Sequence, residues 1–158
     1  MDFTLRAAVP ADARAIAEVR VQGWRQTYAH FLSAGLLDSL DPTATEGQWR
    51  DIIEMGWTFV VVEVAGEVQG FAMSGPPAED DAPRDLELGM IYQLATLHGS
   101  GSGQALLDAT IGREPAFLWT AELNPRAQSF YRRNGFALDG ARRVAASWEN
   151  LAEVRMVR

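Results

Sequence analysis

Three glycines at alternate positions, Gly99, Gly101 and Gly103, separate a strand-like stretch from a helical one in the run Ile91-Tyr92-Gln93-Leu94-Ala95-Thr96-Leu97-His98-Gly99-Ser100-Gly101-Ser102-Gly103-Gln104-Ala105-Leu106-Leu107. Residues of that type and spacing suit an anion. Glycine lets the backbone approach a ligand closely, and the start of the following helix offers N–H groups with no intrahelical partner at the positive end of its dipole. Phosphate oxygens fit such a place. Spacing excludes two common phosphate loops. A dinucleotide-binding turn needs G-x-G-x-x-G and an acidic residue about twenty positions later, which this spacing does not give. A G-x-x-x-x-G-K-[ST] loop needs a lysine, and all 14 basic residues of the chain are arginine.

A second stretch, Asn124-Pro125-Arg126-Ala127-Gln128-Ser129-Phe130-Tyr131-Arg132-Arg133-Asn134-Gly135-Phe136, follows the strand-like Ala116–Ala121. It reads as a short helix with both ends marked. Asn124 can accept from a first-turn N–H, Pro125 suits the first helical position, and Gly135 suits the left-handed residue that ends a helix. Asn124 and Tyr131 lie two turns apart at about 3.6 residues per turn, so they fall on nearly the same face and could meet one ligand. Two carboxylates lie near these stretches in sequence: Glu87 near the start of the strand-like Leu86–Ala95, and Glu122 just before Asn124.

Together the two stretches resemble the GCN5-related N-acetyltransferases, the GNAT family. The family's [QR]-x-x-G-x-[GA] loop is matched by His98-Gly99-Ser100-Gly101-Ser102-Gly103. Its N-x-x-A-x-x-[FL]-Y-x-x-x-G-[FW] helix is matched by Asn124, Ala127, Phe130, Tyr131, Gly135 and Phe136. An opening strand at Phe3-Thr4-Leu5-Arg6 and a closing one at Glu153–Arg158 extend the likeness over nearly the whole chain. The resemblance implies an α/β fold: a mixed, mostly antiparallel sheet flanked by helices on both sides and splayed at its central strand. It implies one N-acetyltransferase domain over residues 1–158.

The same resemblance implies direct transfer of an acetyl group from acetyl-CoA, a cosubstrate, to a primary amine on a small molecule or peptide, with no metal. Ile91, Tyr92 and Gln93 would offer backbone groups to the pantetheine arm. The amides of Gly99, Ser100, Gly101, Ser102, Gly103 and Gln104 would hold the pyrophosphate, and Asn124 joins the cofactor site. Tyr131 matches the general-acid position. Glu87 matches an acidic position that orders water as the base, and Glu122 competes with it. The family likeness also suggests a homodimer. Two positions depart from the pattern: His98 replaces Gln or Arg, and Ser102 stands where an aliphatic residue is common, and both bear on how tightly the cofactor is held. His98 is read as a polar turn residue. The alternative reading is a noncatalytic acyl-CoA-binding or regulatory module that keeps the cradle and lacks an effective base.

The elements that must carry these residues read in order. Phe3–Val9 predicts a strand, and Pro10 and Asp12 begin a helix whose Ile16 and Val19 follow at helical spacing. Trp24 and Tyr28 continue its apolar stripe and are read as core. Short helices follow around Asp41-Pro42. Trp57–Ala65 and Val68–Ser74 predict a hairpin turning at Gly66-Glu67. Glu79-Asp80-Asp81 reads as a solvated loop. A helix over Gln104–Ile111 ends at Gly112, and Phe136–Val144 with Leu151–Val157 predicts a final strand pair around Trp148.

Composition narrows the function classes. A chain of 158 residues is long enough for one self-sufficient core. It has no cysteine, so disulfides and an acyl-cysteine intermediate are excluded. A formal charge of -7 opposes non-specific nucleic-acid binding. There is no apolar run of about 18 residues and no basic-then-apolar N-terminus, so a cytoplasmic protein without membrane partners is expected.

Overall fold

The computed structural model describes Met1–Arg158 throughout. It divides into two compact units, Met1–Ser74 with Met90–Gly112, and Gly75–Gly89 with Arg113–Arg158.

The first unit holds β1 (Thr4–Ala7), α1 (Ala13–Tyr28), α2 (Ala34–Ser39), α3 (Pro42–Glu54), β2 (Thr58–Val64), β3 (Glu67–Gly75), the C-terminal end of β4 (Glu87–Gln93) and α4 (Ser102–Ile111). β2 pairs antiparallel with both β1 and β3. Its Phe59-Val60-Val61-Val62 core is buried on both faces, because side chains alternate along a strand and helices cover each side. Phe59 and Val61 pack with Ile16 and Val19 of α1 and Trp49 of α3. Val60 and Val62 pack with Leu106 of α4 and with Leu97. Trp24 and Tyr28 are buried, as the core reading expects.

The β2–β3 hairpin turns one residue earlier than expected. Val64 and Glu67 are register partners, so the two turn residues are Ala65 and Gly66, at φ 52° and 82°. Positive φ at both central residues matches the twist of paired strands, which is why the turn settles there rather than on Gly66-Glu67. Asp12 anchors the start of α1. Its carboxylate accepts from the Val9 amide (2.8 Å) and from Arg6 (2.7 and 2.8 Å), and Arg6 also reaches Glu63 (2.6 Å).

The second unit holds the start of β4, β5 (Phe117–Ala121), α5 (Pro125–Arg133), β6 (Ala137–Ala145) and β7 (Leu151–Val157). β7 pairs antiparallel with β5 and β6. β4 and β5 run parallel through one register pair, Glu87↔Phe117, with the Phe117 amide donating to Leu86 O at 3.1 Å. So short a ladder is the junction expected of a sheet splayed at its central strand. The full strand order is β1-β2-β3-β4-β5-β7-β6, a mixed and mostly antiparallel sheet. Both ends of α5 are as the sequence marks them: Asn124 Oδ1 accepts from the Ala127 amide (3.1 Å), and Gly135 takes φ 87°. No helix is long and apolar enough to cross a membrane.

Candidate active site

The glycine loop belongs to the first unit. β4 stops at Gln93, two residues short of the expected Ala95, because Ala95–Leu97 close a 3-10 turn with the Leu97 amide bonded to Leu94 O (2.9 Å). That turn buries Leu97 completely in the apolar cluster beneath α4 and so anchors the loop's entry. Gly99 and Gly101 then take φ 80° and 89°, a left-handed backbone that glycine adopts without Cβ strain. The helix begins at Ser102, not Gln104, so the third glycine is helical. The Ala105 amide bonds back to Gly101 O (3.0 Å), so the helical ladder starts at the second left-handed glycine and sets the first turn of α4 directly after the loop.

Side chains brace that loop from below. Ser102 is 0% exposed, and its hydroxyl donates to Gln93 Oε1 at 2.7 Å. Ser100 Oγ accepts from the Ser102 amide (3.2 Å) and lies 2.9 Å from Ser102 Oγ and 2.7 Å from Leu97 O, its one proton serving either contact. A Cβ added at Gly103 would touch the Gln93 amide at 3.5 Å, so the loop lies directly over this side chain. Ser102, which breaks the family's aliphatic pattern, is therefore matched by Gln93, the polar residue that ends β4. The sequence pattern gives Gln93 only a backbone role; the signal was a second polar residue nine positions before Ser102, at the end of the adjoining strand.

The other strand residues have distinct surroundings. Tyr92 OH accepts from Trp24 Nε1 at 2.9 Å, and its ring lies 5.7 Å from Phe71. Gly70 of β3 is required, since a Cβ there would come within 2.9 Å of Tyr92 O and 2.7 Å of Val62. Ile91 packs against the Val60–Val62 cluster. His98 is exposed.

Glu87, Asn124 and Tyr131 belong to the second unit. Asn124 spends its side-chain oxygen on capping α5. Tyr131 is 7% exposed and meets Phe130 and Phe136 edge-on, with centroids 5.4 and 6.0 Å away. Gln128, which the sequence did not single out, is buried and donates to Ala121 O (3.3 Å) and Glu122 O (2.9 Å). It ties the helix that carries Tyr131 to the end of β5.

The two candidate carboxylates differ sharply. Glu122 is exposed and gripped by Arg142 at 3.1 and 3.2 Å, which holds its carboxyl below the usual range. Glu87 is half-buried, and no side chain donates a hydrogen bond to it. Burial, and then the charge of Glu79, push its carboxyl above the usual range; Arg143 opposes the shift and Glu153 adds to it. Glu79 is the second residue that sequence reasoning missed. The reading of Glu79-Asp80-Asp81 as solvated loop fails for its first member, which accepts from Trp119 Nε1 (2.8 Å) and Arg155 (3.1 Å).

Solved structures share this fold. PaiA N-acetyltransferase from Thermoplasma acidophilum, solved in complex with coenzyme A, matches 100% of this chain and 99% of its own at a TM-score of 0.79 and 19% identity. YncA from Salmonella typhimurium, solved with its cofactor acetyl-CoA, matches 100% of this chain and 94% of its own at a TM-score of 0.69 and 20% identity. At such identities the likeness defines the fold class alone. The uncharacterized N-acetyltransferase YuaI from Bacillus subtilis is 31% identical over 96% of each chain, and the family model for the acetyltransferase (GNAT) domain matches residues 56–138. This chain therefore belongs to the GNAT family, and it is an acyl-CoA-dependent N-acetyltransferase.

Proposed function

We propose that residues 1–158 act as one N-acetyltransferase domain that moves the acetyl group of acetyl-CoA directly to a primary amine on a small molecule or peptide. The observation that carries the cosubstrate assignment is the loop of Gly99–Gly103, where two left-handed glycines lead into the first-turn amides of α4. Such a helix start is a pyrophosphate site by both hydrogen bonding and dipole. PaiA and YncA, which share the fold, were solved with coenzyme A and acetyl-CoA. In this reading Gly99, Ser100, Gly101, Ser102, Gly103 and Gln104 meet the diphosphate. Ile91, Tyr92 and Gln93 offer main-chain groups to the pantetheine arm, and Asn124 joins them.

The amine nitrogen attacks the thioester carbonyl carbon, a C–N bond forms, and the C–S bond breaks. Glu87, directly or through a water, takes the proton that the nitrogen loses. Its half-buried, weakly solvated carboxyl suits that role better than Glu122, whose charge Arg142 already neutralises. Tyr131 donates a proton to the departing sulfur. A phenol of pKa about 10 is protonated at neutral pH, and its transfer to a thiolate of pKa about 8.5 is driven by departure of the leaving group. Holding amine and thioester together supplies much of the acceleration, so no covalent enzyme intermediate is needed.

Calorimetry with acetyl-CoA, followed by an assay of free CoA released with a panel of primary amines, tests this reading. Binding together with amine-dependent CoA release is expected. Absence of binding would refute the cosubstrate; binding without release for every amine would refute transfer to a primary amine.

A further inference from the structure

Strand register in the second unit gathers charged and aromatic side chains on one face. Glu87 is the register partner of Phe117, and residues two apart on a strand project to the same side, so Trp119 shares the face of Glu87. Across the antiparallel ladders Trp119 stands opposite Arg155, Ala121 opposite Glu153, and Glu153 opposite Arg143. Opposed residues project together, which adds Arg155, Glu153 and Arg143 to that face.

Glu79 reaches this face from the connection between β3 and β4. One of its oxygens accepts from Trp119 Nε1 at 2.8 Å and the other from Arg155 at 3.1 Å. Arg155 is held in turn by Asp139 (2.7 Å) and lies 5.5 Å from the Trp119 ring centroid. With one oxygen accepting from Trp119 and the other from Arg155, the Glu79 carboxyl group is fixed in place.

We propose that Glu79 is a positioning residue for acetyl transfer: Trp119 and Arg155 lock it so that a fixed negative charge faces Glu87 and keeps that carboxylate a strong enough base for the acceptor amine. The role rests on the reading of Glu87 as the base. Three charged groups bear on Glu87. Glu79 from the connection and Glu153 from β7 raise its proton affinity, and Arg143 from β6 lowers it. Arg143 is partly diverted, because it pairs with Glu153 at 2.6 Å and stacks 4.3 Å over Trp119. Arg155 is engaged by Glu79 and Asp139. A like charge disfavours ionisation of its neighbour, so removing the Glu79 charge moves Glu87 titration to lower pH.

The test is a ¹³C NMR titration of the Glu87 carboxyl in the full chain, assigned with Glu87→Gln, beside the pH profile of kcat/KM for an amine accepted in the CoA-release assay. Glu79→Gln keeps an acceptor for Trp119 and loses the charge. It is expected to move the Glu87 midpoint and the base limb of the profile to lower pH, with a several-fold loss of kcat/KM on the plateau. Trp119→Phe keeps the charge and drops one of its two anchors; a smaller movement in the same direction is expected, and this variant decides the matter if Glu79→Gln does not fold. Glu87 curves that superimpose on wild type in the variants overturn the proposal. A Glu87→Gln enzyme with an unaltered pH profile overturns the base assignment and with it the positioning role, an outcome distinct from superimposed Glu87 curves alone.

Discussion

The loop of Gly99–Gln104 and the face that carries Glu87 are built from different materials. The loop is a matter of main chain, its geometry set within a few residues by two left-handed glycines and a helix start. The face depends on side chains from β4, β5, β6, β7 and the β3–β4 connection, aligned by strand register. A backbone device tolerates changes of side chain and fails when the path of the chain changes. A side-chain device behaves in the opposite way. The contrast teaches that a motif can locate the first kind of site, whereas the second has no motif.

Substitutions probe both kinds of device, and the largest effect is expected at the proposed proton donor. Tyr131→Phe removes one oxygen from a packed ring, so kcat should fall about 100-fold while acetyl-CoA affinity measured by calorimetry stays within about twofold. An unchanged kcat would remove Tyr131 from the reaction. On the loop the pattern should invert. Gly101→Ala meets no neighbouring atom, since nothing lies within 4 Å of the added Cβ, but it forces an alanine to φ 89°. A left-handed residue with a Cβ costs about 1–2 kcal/mol, so KM for acetyl-CoA should rise about 5–30-fold with kcat little altered. If kcat falls and KM holds, the loop does more than bind.

The smallest effect tests the brace where the two kinds of device overlap. Ser102→Ala strands the Gln93 carbonyl below the loop, with an expected loss of about 1–2 kcal/mol in thermal unfolding and a few-fold rise in KM for acetyl-CoA. Replacing both partners, Gln93→Val with Ser102→Ala, leaves no unpaired polar atom and should recover most of the stability when measured beside Gln93→Val and Ser102→Ala alone. Additive losses in this double-mutant cycle would show that the hydrogen bond of 2.7 Å does not couple the two residues.

Much of the molecule was legible before its structure. The α5 ends at Asn124 and Gly135 were marked by residue type, because capping depends on neighbours within four positions. The run of β-branched and aromatic residues in β2 and the stripe of α1 gave core residues for the same local reason. Boundaries moved where backbone closure intervened: Ala65-Gly66 took the turn in place of Gly66-Glu67, and Ala95–Leu97 ended β4 early. Glu79 was misread because an acidic run after Pro76-Pro77 has the composition of solvated loop, and nothing near it in sequence announces Trp119 or Arg155. Glu87 was preferred to Glu122 as base only through the family resemblance, since their proton affinities depend on burial and on Arg142, twenty residues beyond Glu122.

The glycine loop, the cap and end of the Tyr131 helix and the apolar strands follow from residue order alone, through torsional preference and side-chain composition over short spans. Only the packed fold settles which carboxylate is desolvated, that Gln93 braces Ser102, and that Glu79 is held by Trp119 and Arg155. Those outcomes depend on distance and burial between residues up to 76 positions apart, quantities that exist only once the strands are in register.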